Sequence, residues 1–62
     1  MKEWISQVLS GKVSSIIEAA QLDNTTPAEI RNEIIEISKT NSGLAKKLET
    51  SLGVNFTRVR IH

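Results

Sequence analysis

Apolar residues in the first third of the chain recur at helical spacing. At 100° per residue, Ile5, Leu9, Val13, Ile16 and Ala20 fall in one stripe, with Trp4 and Val8 flanking it early and Ile17 on the other side later. The pattern predicts one amphipathic helix over about residues 2–22 with a drifting face. Gly11 stands inside it at a cost of about 1 kcal/mol relative to alanine. Ser15 followed by Glu18 has the form of a capping box, so a break near residues 10–14 is the alternative.

The stretch DNTTPAEI is the clearest boundary. Asx and Thr residues favour a turn, Thr26 is a capping residue, Pro27 suits the first helical position and Glu29 completes a capping box. A second helix over about 27–40 carries the stripe Ile30, Ile34 and Ile37, with Ala28 and Ile35 pointing well round to another side. The run KTNSG ends it. A short third helix, about 43–52, has Leu44, Ala45, Leu48 and Leu52 as its apolar stripe, and Gly53 fits a left-handed C′ position with Val54 packing back on Leu48.

Beyond Gly53 the period falls to two. Thr57, Val59 and Ile61 alternate with Arg58, Arg60 and His62, which predicts a half-buried strand over about 55–61, with Phe56 on the arginine side. The expected fold is mainly α: one small domain over 1–62, a three-helix bundle with a short C-terminal β-strand. No second run in the chain has the alternation to pair with that strand, so a partner is expected to supply its hydrogen bonds; the bland alternative is a frayed tail. The candidate partner-binding groups are Trp4, Ile35 and Phe56 as apolar anchors outside the main stripes, and the backbone of Thr57, Arg58, Val59, Arg60 and Ile61 as strand donor. Core filling is the simpler reading for each apolar one. A homodimer is the default assembly.

Composition sharpens this picture. A 62-residue chain buries only about 60% of its unfolded surface, so hydrophobic gain and ordering entropy nearly cancel. With no cysteine and a single histidine, neither a disulfide nor a structural zinc site is expected to help. The chain is 39% hydrophobic and 24% charged, as in folded proteins, and has neither a membrane-length apolar run nor a signal-peptide centre, so a cytoplasmic origin is expected.

Chemistry for catalysis is thin. His62 has no group to orient it, the serines have no activating base, and Glu29, Glu33 and Glu36 read as a solvated helix face. Neither an enzyme nor a cofactor is expected. The net charge of +1 hides an asymmetry: residues 1–43 hold four basic and six acidic residues, whereas residues 44–62 hold four basic residues and only Glu49. That basic end supports an alternative reading, a small dimeric DNA-binding regulator that presents Arg58 and Arg60 on a β-ribbon. The nine residues after Gly53 are too few for the turn and recognition helix of a helix-turn-helix.

Leu44–His62, LAKKLETSLGVNFTRVRIH, resembles the opening motif of the core domain of proteins associated with extracellular contractile injection systems. That motif is a short helix closing on Leu-Gly, followed by Asp-Phe-Ser-x-Val-Arg-Val/Ile-His; Leu52, Gly53, Phe56, Val59, Arg60 and His62 match it, while Asn55 and Thr57 replace Asp and Ser. The resemblance covers 19 of 62 residues. The family's His-Glu-x-x-His metalloprotease-like region has no counterpart here, so no catalytic residue carries over. The resemblance implies a non-catalytic docking or cargo-recruitment segment.

Overall fold

The computed structural model describes residues 2–56. Four helices follow one another: α1 (Glu3–Leu9), α2 (Ile16–Leu22), α3 (Pro27–Thr40) and α4 (Ser42–Leu52). The expected first helix over 2–22 is therefore two. Gly11 is the cause: at φ 84° it takes the left-handed C′ place. The N–H of Gly11 donates to Val8 O at 3.1 Å and that of Lys12 to Gln7 O at 3.0 Å. Together these form a Schellman ending rather than a continued helix.

The same device recurs twice. Asn24 (φ 53°) follows α2, with Thr25 N–H donating to Ala20 O at 2.9 Å. Gly53 (φ 69°) follows α4, with Val54 N–H donating to Glu49 O at 3.0 Å, as its position in the sequence predicts. The starts of α2, α3 and α4 are closed by their N-cap side chains. Thr26 Oγ1 accepts from Glu29 N–H at 3.3 Å and Asn41 Oδ1 from Leu44 N–H at 3.1 Å. Ser15 Oγ accepts from Ile17 N–H at 3.2 Å, one position short of the box expected with Glu18.

A Cβ added at Gly11 meets no atom within 4 Å, so Gly11→Ala isolates the cost of the left-handed backbone. That substitution is expected to destabilise by about 1–2 kcal/mol. A thermal melt followed by circular dichroism should fall by roughly 4–8 °C per kcal/mol for a domain of this size.

Helix α1 packs on α2 and α4, and α3 packs on the same two. Trp4, Ile30, Ile34 and Leu48 are fully buried at the centre, joined by Ile5, Val8, Val13, Ala19, Ala20, Ala45 and Leu52. Once α1 stops at Leu9, its inward face is set by its own seven residues, so Trp4 turns in and Leu9, a member of the expected continuous stripe, is 40% exposed. Ile16, Ile37, Leu44, Val54 and Phe56 pack on the core while partly open. Among the described residues there is no strand; Asn55 and Phe56 are irregular, and residues 57–61 of the expected strand lie outside the described residues. No helix among the described residues is long and apolar enough to cross a membrane.

Candidate functional site

Helices α1 and α3 share neighbours but are not primary neighbours of each other, and an open groove of about 430 Å³ lies between them. Lys2, Ile5, Glu29, Asn32, Glu33, Glu36 and Ile37 line it. The helical period explains the set: at 100° per residue, Glu29, Asn32, Glu33, Glu36 and Ile37 share one side of α3. Ile5 and Ile37 make an apolar floor. The charged groups of the lining are three carboxylates and one ammonium.

Glu33 holds the two helices together here. Its Oε1 accepts from the indole Nε1–H of Trp4 at 2.7 Å, and its Oε2 lies 3.2 Å from Lys2 Nζ. The backbone N–H of Trp4 in turn donates to Asp23 Oδ2 at 3.4 Å, so a carboxylate at the end of α2 serves the open start of α1. Glu36 pairs with Lys39 at 3.2 Å, both side chains being well exposed. Such a pair contributes between about 0 and 1 kcal/mol and exchanges freely with other charges. The three glutamates thus differ: Glu33 is half-buried and doubly engaged, whereas Glu29 and Glu36 face water at the rim.

The residues singled out from the sequence are scattered. Trp4 is 0% exposed and so belongs to the core, with no surface left to anchor a partner directly. Ile35 is half-buried on the side of α3 away from its main stripe. Phe56 packs on the core; its N–H donates to Glu49 Oε2 at 2.8 Å and the Arg31 guanidinium lies 6.0 Å from its ring centroid. Thr57, Arg58, Val59, Arg60 and Ile61 lie outside the described residues.

The groove itself escapes sequence reasoning because it joins residues about thirty positions apart. Its one readable sign is the i, i+4, i+7 spacing of Glu29, Glu33 and Glu36 beside Ile37. The exposed apolar side chains Leu9, Ile17 and Leu22 do not line it. No known protein family matches the chain, and no curated protein or solved structure is significantly similar to it.

Proposed function

We propose that this protein is a non-catalytic protein-interaction module whose α1–α3 groove receives a short apolar segment bearing positive charge. The observation that carries the reading is the groove's construction: an apolar floor of Ile5 and Ile37 beneath a rim where Glu29 and Glu36 stand in water. Apolar contact supplies affinity and the carboxylates select and orient a basic occupant. Nucleic acid is disfavoured at this face, since its phosphates meet three carboxylates. The resemblance of Leu44–His62 to an injection-system motif agrees with a docking or recruitment role for such a module, and α4 ending on Leu52 with Gly53 left-handed fits the helix-stop part of that motif.

Trp4, the only tryptophan, touches the groove through Glu33 and reports occupancy by its fluorescence. A peptide with alternating leucine and lysine is expected to shift that emission saturably, and its glutamate counterpart to leave it unchanged. Added salt should weaken the binding. Ile37→Lys, at a partly open position, should keep the helical signal and raise Kd by roughly tenfold, the equivalent of about 1.4 kcal/mol. Equal response to both peptides, or none to either, overturns the reading.

A further inference from the structure

We infer that the groove's occupant is the Arg58–Ile61 segment of a second copy of this chain, an inference that rests on the reading of the groove given above. The match is one of charge and pattern. Arg58 and Arg60 alternate with Val59 and Ile61, and no acidic residue comes after Glu49, so the segment offers apolar groups to Ile5 and Ile37 and guanidinium groups to Glu29 and Glu36.

Geometry selects a second copy over the same one. Phe56, the last described residue, lies beside Arg31. At 100° per residue Arg31 stands about 140–160° round α3 from Glu29, Glu33 and Glu36, on the far side of the helix from the groove. Ile61 is five residues beyond Phe56, and five residues span at most about 18 Å fully extended. An arc of 140–160° round a helix about 10–12 Å across is itself about 12–17 Å. Arg58 is two residues beyond Phe56 and within about 7 Å of it, short of that arc, so the four-residue segment cannot lie along the groove of its own chain. In a pair of copies each segment enters the other's groove, the arrangement repeats by a two-fold axis, and both sites fill at once.

The test is a charge swap read by analytical ultracentrifugation. The full chain is expected to sediment at twice its monomer mass. Arg58→Glu with Arg60→Glu should shift the dissociation constant upward by about a hundredfold or more through like-charge contact with the rim, and Glu29→Lys with Glu36→Lys should do the same. Mixing the two double variants should restore the dimer, because each then meets a complementary partner; unchanged helical circular dichroism shows that neither variant has unfolded. A wild-type chain that stays monomeric from micromolar to millimolar concentration, while the leucine–lysine peptide still binds, overturns the inference and leaves the groove reading standing. A dimer that ignores both charge reversals, or a mixture that fails to reassociate, also overturns it. If neither peptide nor second copy binds, both readings fall together.

Discussion

Trp4→Ala is expected to abolish the cooperative thermal transition. The indole is fully buried where α1 meets the rest of the bundle, and a large aromatic removed from such a site costs about 3–5 kcal/mol in lost transfer energy and residual cavity. A core this small supplies rarely more than about 3–5 kcal/mol of net stability, so the loss is comparable to the whole. The measurement is far-UV circular dichroism against temperature and urea. The result separates two roles for this residue. An anchor reserved for a partner would leave the isolated fold intact when truncated, whereas a core residue takes the fold with it. Trp4→Phe, which keeps most of the volume but loses the N–H donor, should fall between the two.

The second large effect is expected at Glu33. Glu33→Ala leaves the buried indole N–H of Trp4 without its acceptor, at a cost of about 1–3 kcal/mol, and also removes the Lys2 ion pair. Lys2 is 59% exposed at its side chain, so that pair adds between about 0 and 1 kcal/mol. Glu33→Gln keeps an acceptor oxygen for the indole and drops the charge. It should therefore recover most of the stability lost in Glu33→Ala, as read by urea midpoints at constant slope. If Glu33→Gln is as damaging as Glu33→Ala, the ion pair rather than the hydrogen bond joins α1 to α3.

The parts of the fold that were legible in the sequence are those set by local chemistry. Thr26 with Pro27 places the start of α3, Asn41 the turn into α4, and Gly53 its end, because each acts on the backbone within a few residues. Ile30, Ile34 and Leu48 lie where their stripes put them. The first segment misleads because a continuous apolar stripe hides a competing local signal. Gly11 reads as a costly interior glycine with a break near residues 10–14 as the alternative, and in the structure its left-handed φ makes that break, while Ile5 stays inward as its stripe predicts. Trp4 moves inward and Leu9 outward as a direct consequence.

The candidate site was less legible for a different reason. Glu29, Glu33 and Glu36 look alike in the sequence, and only the docking of α1 across from α3 gives Glu33 an indole and an ammonium while leaving the other two at the rim. Local patterns carry no record of which distant helix a carboxylate will face.

The most direct measurement is amide chemical-shift mapping by NMR as the leucine–lysine peptide is titrated into the chain. A basic occupant seated in the groove should produce its largest changes at Lys2, Ile5, Asn32 and Ile37, with Leu22 and Lys46 unmoved. Changes centred on the surfaces of α2 or α4, with the α1–α3 groove silent, would contradict that seating.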